Sequence, residues 1–306
     1  MALRDGNTNL INDYKDSTSI DLSGCKSLKN VDGLAKCTKL TKLDLSNCES
    51  LENVDGLESC TNLTELDLSG SGIQNVDKLA NCTNLTDLNL NYCDSLQNLD
   101  GLANCTKITS LDLSGSGIQN VDGLANCTKI TSLDLSACDS LQNVDGLANC
   151  IKLTNLNLYY CESLQNVDGL ANCIKLTNLN LDYCESLQNV DGLANLINLT
   201  NLDLSSCESL QNVDGLTNLT EITILDLKDC GSLKTMDGLT KCTKLTNLIL
   251  SDCSSLQNVS GLVGCTGLKF LNLRACSRVS PKPTPVVMEN RRQVALYQEK
   301  IKNSMK

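Results

Sequence analysis

Nineteen cysteines in a chain of 306 residues are the first chemistry this sequence offers. They fall into two registers. Cys25, Cys48, Cys93, Cys138, Cys161, Cys184, Cys207, Cys230, Cys253 and Cys276 form the first; Cys37, Cys60, Cys82, Cys105, Cys127, Cys150, Cys173, Cys242 and Cys265 form the second. Such a supply of thiols suggests zinc or disulfides. Zinc ligands, however, usually come in pairs about two to four residues apart, and no two cysteines here are closer than Cys37 and Cys48. Cysteines stacked in register on parallel strands also hold their Cβ atoms too far apart for good S–S geometry. Leu196 and Leu219 stand in for two members of the second register, which marks a buried apolar slot. Ser71 and Ser116 stand in for two of the first, which marks a small, weakly hydrogen-bonding slot. The expectation is a ladder of structural free thiols, with no metal and no cofactor. Free thiols in this number favour the cytoplasm or another reducing compartment, with a secreted effector as the alternative.

The second set is acidic. Asp21, Asp44, Asp67, Asp112, Asp134, Asp203 and Asp226 recur at one place of a repeating pattern, alternating with Asn89, Asn157, Asn180, Ile249 and Asn272. Lined up one strand apart, such carboxylates repel one another, and they favour a cation or a basic partner. The plainer reading is that they keep a long sheet soluble. Asp112 with Asp134, or Asp203 with Asp226, offers a weak cation site at best, because a flat ladder gives calcium few of its oxygens. The third set is aromatic: Tyr92, Tyr159, Tyr160 and Tyr183 fall beside the same column. Exposed tyrosine gives large contact area at low entropy cost and is enriched at interaction hot spots. Drift after duplication is the competing account. Residues 151–173 and 174–196 differ only at Tyr159/Asp182 and Cys173/Leu196.

The elements that position these residues follow from the repeat. The pair L-x-L recurs in twelve units of 22 or 23 residues, first at Ile20 and last at Leu271. Alternation around L-x-L predicts a short strand buried on one face. The following N-V-D-G-L-x-x-C predicts a single tight 3₁₀-like turn. In that turn Asp55 and its counterparts should cap the free N–H groups, and Gly56 and its counterparts should permit the bend. Units of this size cannot bury their apolar groups alone, so they must stack.

Twelve copies of this pattern resemble the leucine-rich-repeat superfamily across residues 18–276, and "NVDGLANLINLTNLDLS" at 189–205 looks most like the repeats of the bacterial internalins, with Cys where those usually carry Asn. The resemblance implies an α/β-type repeat solenoid of horseshoe form, with a parallel β-sheet on its concave face and 3₁₀ or irregular turns on its convex face. It also implies protein recognition as the use of that face. The contact residues would be Tyr92, Tyr159, Tyr160, Asp182, Tyr183, Asp203 and Asp226.

Around the solenoid, residues 1–17 are expected to cap the first unit through Leu3, Leu10, Ile11 and Tyr14, and they lack the apolar run of a secretory signal. Residues 277–306 read as a Pro-containing connector and a basic helix, with Val287, Val294 and Ile301 as a stripe. A cap over the last unit is favoured over partner docking or continuation into a further domain. Net charge is −11, but residues 274–306 hold eight bases and two acids, so the remainder carries −17. That balance disfavours nucleic acid on the strand face, which would need Lys and Arg there. No apolar run approaches the ~18 residues of a membrane span. The absence of His, of any phosphate loop and of any nucleophile–base spacing argues against an enzyme. The expectation is a monomeric, non-enzymatic protein-binding module; the alternatives are a weak cation-binding surface and a structural array without a specific partner. Sequons at Asn81, Asn84, Asn104, Asn126 and Asn198 read as by-products of the repeat.

Overall fold

A computed structural model describes residues 14–306. Leu3, Leu10 and Ile11 of the expected N-terminal cap lie outside the described residues. Tyr14 lies within them, 42 % exposed. Chain packing divides the molecule into two compact units. The first extends to Leu141 and takes in Asp145–Leu153; the second holds Gln142–Val144 and Thr154–Lys306.

In the first unit the strands are β1 (Ser19–Asp21), β2 (Lys42–Asp44), β3 (Glu65–Asp67), β4 (Asp87–Asn89), β5 (Ser110–Asp112) and β6 (Ser132–Asp134). They pair in parallel and in sequence order, so that Leu43 lies beside Leu66, Leu66 beside Leu88 and Leu88 beside Leu111. In the second unit β7 (Asn155–Asn157), β8 (Asn178–Asn180), β9 (Asn201–Asp203), β10 (Ile224–Asp226), β11 (Asn247–Ile249) and β12 (Phe270–Asn272) repeat the arrangement. Each strand is three residues long because only L-x-L alternates. Its central leucine is buried and its two neighbours point outward. A 3₁₀ turn follows each strand from β1 to β11, as at Asp55–Leu57 and Asp191–Leu193. The expected solenoid of strands and 3₁₀ turns is therefore what the chain forms.

Two local expectations need correcting. The turn Asp does not cap. The residue before it, such as Val54, makes no side-chain cap bond, and Asn53 Oδ1 instead accepts the Asp55 N–H at 3.2 Å. Asn75, Asn98, Asn166 and Asn189 do the same in their repeats. The short amide two residues upstream forms an Asx turn whose geometry the carboxylate, already inside the turn, cannot reach. The turn Gly is also not there for a bend. A Cβ at Gly56 would stand 1.9 Å from Val31 O, and one at Gly192 would stand 2.1 Å from Val167 O. Hydrogen alone fits where one turn lies on the next. Lys78 holds that place in one repeat, where the turn lengthens to Asp77–Asn81.

The core is the stack of inward side chains. Leu45, Leu51, Val54, Leu57, Cys60 and Leu63 of one repeat are each 0–1 % exposed. At roughly 1.5–3 kcal/mol for each large side chain fully buried, a repeat is stable only when neighbours cover both its sides. At the C-terminal end other elements supply what a further repeat would. The strand β13 (Val287–Met288) pairs antiparallel with β12. The helix α1 (Arg291–Ser304) is capped by Asn290 and buries Val294, Tyr297 and Ile301. Gln298 Nε2 donates to Leu262 O at 2.7 Å, the carbonyl that a next repeat's thiol would otherwise take.

Candidate interaction surface

All nineteen cysteines are free and buried. In the first register the thiols donate to the carbonyl of the second leucine of L-x-L one repeat back, as in Cys93 to Leu68 O at 3.2 Å, Cys184 to Leu158 O at 3.2 Å and Cys230 to Leu204 O at 3.1 Å. In the second register the usual acceptor is the leucine carbonyl of the preceding 3₁₀ turn, at longer range, as for Cys105 and Leu79 O at 3.4 Å, while Cys37, in the first repeat, donates to Tyr14 O at 3.7 Å. Leu196 and Leu219 fill this looser slot at 0 % exposure. Ser71 and Ser116 fill the tighter one, against the Cys93 and Cys138 sulfurs. Cys276 is drawn down by its hydrogen bond with Cys253, whereas burial raises other thiols of the ladder, Cys48 to about 11 and Cys82 and Cys184 to about 12. They stay protonated at neutral pH and are poor nucleophiles. Among the described residues no group of three or more His, Cys, Asp or Glu is placed to hold a metal ion.

The acidic column has a structural role that the sequence reading missed. Asp44, Asp67, Asp112, Asp134 and Asp203 each accept, through Oδ1, the N–H of the serine two residues on, at 2.9–3.0 Å. Asn157 and Asn180 do the same for Tyr159 and Asp182. Asp and Asn interchange because the strand exit needs an acceptor oxygen, and a charge is optional. One residue further on, just before the first-register cysteine or serine, the backbone is left-handed. Gly24, Gly70 and Gly115 stand there, and so do Tyr92 (φ 53°), Tyr160 (φ 62°) and Tyr183 (φ 60°). A bulky residue in this region is strained by roughly 1–2 kcal/mol, which Gly avoids.

In the first unit the strand face is an open trough. Asp21, Asp44, Glu65, Asp67, Asp87 and Asp112 line it, with Lys42 as its cation, bound to Glu65 at 2.7 Å. Tyr92 belongs to this unit, 67 % exposed, with its ring lying over Gly115.

In the second unit the outward residues of β7 and β8 are amides, and Asn201 Nδ2 donates to Asn178 Oδ1 at 2.8 Å. Further along, Ile224 is 44 % exposed, and Ile249 and Phe270 are half-buried. At the strand exits Tyr159, Tyr160 and Tyr183 form one cluster, with ring centroids 5.5–6.1 Å apart and the Tyr159–Tyr183 pair edge-on at 83°. Tyr159 and Tyr183 are 39 % and 40 % exposed. Beside them Ser205 Oγ donates to Asp182 Oδ1 at 2.9 Å and also contacts Asp203, and Asp226 lies next to Asp203 in the ladder. Partial burial, and after it the charge of Asp203, raise both Asp182 and Asp226 above the ordinary carboxylate range.

Of the residues singled out in the sequence, Tyr159, Tyr160, Asp182, Tyr183, Asp203 and Asp226 thus share one surface of the second unit. Tyr92 sits in the first. Ile224 and Phe270 were missed, although their place before the first leucine of L-x-L holds polar residues in other repeats. Ile174 and Ile197 were missed too. They replace the Thr of most repeats and stand 49 % and 52 % exposed ahead of β8 and β9. The sequons are occupied by packing: Asn84 and Asn198 donate their amides to Thr61 O and Ile174 O of the repeat before.

Comparison with known proteins agrees with this geometry. Residues 108–206 match the family model of the endo-β-N-acetylglucosaminidase EndoS leucine-rich-repeat domain, and 61–104 and 36–57 match general leucine-rich-repeat models. A search of the curated proteins finds no match. Among solved structures, an internalin (InlF) from Listeria monocytogenes superposes with a TM-score of 0.65 at 20 % identity, over 91 % of this chain and 93 % of that one. The functional domain of InlJ from Listeria monocytogenes, described as including a cysteine ladder, gives 0.56 at 24 % identity, over 86 % of this chain and 57 % of that one.

Proposed function

This chain is a leucine-rich-repeat protein, and we propose that it is a non-enzymatic module that binds a protein partner on the strand face of its second unit. Protein recognition is the general use of such repeats, but fold alone does not locate a site. The supporting observation is the tyrosine cluster. The rings of Tyr159, Tyr160 and Tyr183 gather at centroid distances of 5.5–6.1 Å, and Tyr159 and Tyr183 remain 39 % and 40 % exposed. Exposed tyrosine offers large contact area and is enriched at interaction hot spots. Ile224, Ile249 and Phe270 extend the surface along the outer columns of β10, β11 and β12. Asp182, Asp203 and Asp226 flank it and suit a partner with a basic surface.

The cation-binding alternative draws less support. The column carboxylates spend Oδ1 on their own backbone, which leaves few oxygens for an ion.

The test is Tyr160→Gly with Tyr183→Gly. It removes the rings and relieves the left-handed strain together, so urea stability should move by about 1 kcal/mol or less. Affinity capture from the source cell should lose its specific partner with this variant and keep it with Tyr92→Gly. Identical capture by wild type and the double variant would sink the reading.

A further inference from the structure

Resting on that reading, we propose that the tyrosine surface takes an arginine side chain presented by an extended segment of the partner. The rings of Tyr159, Tyr160 and Tyr183 meet at 40–83°, so they are not stacked flat on one another, and Tyr159 and Tyr183 keep 39 % and 40 % of their surface in solvent. Ring faces attract cations. The carboxylates lie on the same surface, one repeat apart: Asp182 adjoins Tyr183 in the chain, Asp203 follows through Ser205, and Asp226 pairs with Asp203 in register. For Asp203 and Asp226 the Oδ1 atoms are held by the N–H groups of Ser205 and Lys228, which fixes the orientation of each carboxylate. Crowding of these like charges favours an incoming cation. The chain's own nearby cation, Lys228, pairs with Asp229 at 3.3 Å, and its charge draws Asp182 and Asp226 down without cancelling their upward shift.

A guanidinium fits this arrangement better than an ammonium. It is planar, stacks on aromatic rings and offers a fork of donors to an oriented carboxylate, whereas an ammonium is a compact, strongly hydrated point charge. The neighbouring amides, Asn157, Asn178, Asn180 and Asn201, can accept and donate along the backbone of an extended segment without adding charge.

The chain contains no Trp, so its fluorescence comes from six tyrosines and half of them lie in the cluster. The experiment titrates the full chain, at near-physiological salt, with three acetylated octapeptides alternating Ser with Arg, with Lys or with the uncharged isostere citrulline. The arginine peptide should perturb tyrosine emission and bind roughly five- to tenfold more tightly than the lysine peptide, and the citrulline peptide should not bind. Tyr160→Gly with Tyr183→Gly should abolish the preference for Arg over Lys, and Asp182→Asn should weaken the arginine peptide severalfold. Asp44→Asn with Asp67→Asn, in the first unit, should leave it unchanged. Equal binding of Arg and Lys peptides, or an equal loss from the first-unit pair, would show bulk charge attraction and overturn the proposal. If the arginine preference fails while the double glycine variant still loses its captured partner, protein binding stands and only the cation inference falls. If both fail, the surface has been misread.

Discussion

The two units share one frame and present different faces. In the first, the outward residues are Asp21, Lys42, Asp44, Glu65, Asp67, Asp87 and Asp112 around an open trough. In the second they are amides on β7 and β8, Asn201, Asp203 and Asp226, then the apolar Ile224, Ile249 and Phe270, with three clustered tyrosines at the strand exits. Inward positions barely differ: leucines, valines and thiols are buried to the same degree in both. A stacked repeat therefore separates two kinds of position. Those that meet the next repeat are fixed by close packing and by hydrogen bonds that must be made. Those that meet solvent are free, and there the two units diverge.

The largest expected effect tests whether the frame is really common. Burial raises thiols such as Cys48, to about 11, and Cys184, to about 12, above the unfolded value, so their contribution is intact below about pH 8.5 and is lost as pH climbs towards the folded value. Over that window the unfolded chain holds fewer protons, and stability should fall by about 1.4 kcal/mol per pH unit for every thiol that ionises only on unfolding. Both units are rich in such thiols, so urea melts under reducing conditions should show both collapsing together above about pH 9. Unchanged stability to pH 10.5 or so would contradict burial of the ladder.

Next comes the contact between turns. Gly146→Ala in the first unit and Gly192→Ala in the second each drive a methyl to within 2.0–2.1 Å of a backbone carbonyl. Each should cost about 3 kcal/mol or more. A mild effect in one unit only would show that the turns stack differently there.

A smaller effect separates the two thiol registers. Cys173→Leu copies Leu196, which the slot already accepts fully buried, and should cost about 1 kcal/mol or less. Cys184→Leu overfills a tighter slot and removes the donor to Leu158 O; about 2 kcal/mol or more is expected. Equal costs would mean that the registers are interchangeable.

The smallest effect makes the first face resemble the second. Asp44→Asn with Asp67→Asn keeps the Oδ1 acceptor for Ser46 and Ser69 while removing two charges. Stability should stay within about 0.5 kcal/mol, whereas Asp67→Leu should cost about 1 kcal/mol by stranding the Ser69 N–H. A clear loss with Asn would show that the column depends on charge after all.

Much of this was legible in residue spacing. Strand positions, turn positions and the buried thiol ladder follow from a period that leaves each repeat only one way to hide its leucines. The residues of the proposed surface are visible in the sequence as tyrosines and acids beside one column, but that Tyr160 and Tyr183 stand in left-handed backbone, where other repeats carry Gly24, Gly70 and Gly115, is a property of the folded chain. So is the need for an acceptor oxygen that explains the Asp/Asn interchange. The caps were misassigned because a sequence shows which residue could reach an N–H, and only the backbone path shows that Asn53 arrives before Asp55.

By itself the sequence determined that this chain stacks: periodic burial is a one-dimensional property and can be counted along the chain. The tertiary structure decided what that stack exposes and where its atoms nearly collide. Whether Tyr159, Tyr160 and Tyr183 meet, or a Gly hydrogen faces a carbonyl of the repeat before, depends on distances between residues about one repeat apart. Those distances are set by the sum of many small packing choices, and no single residue encodes them.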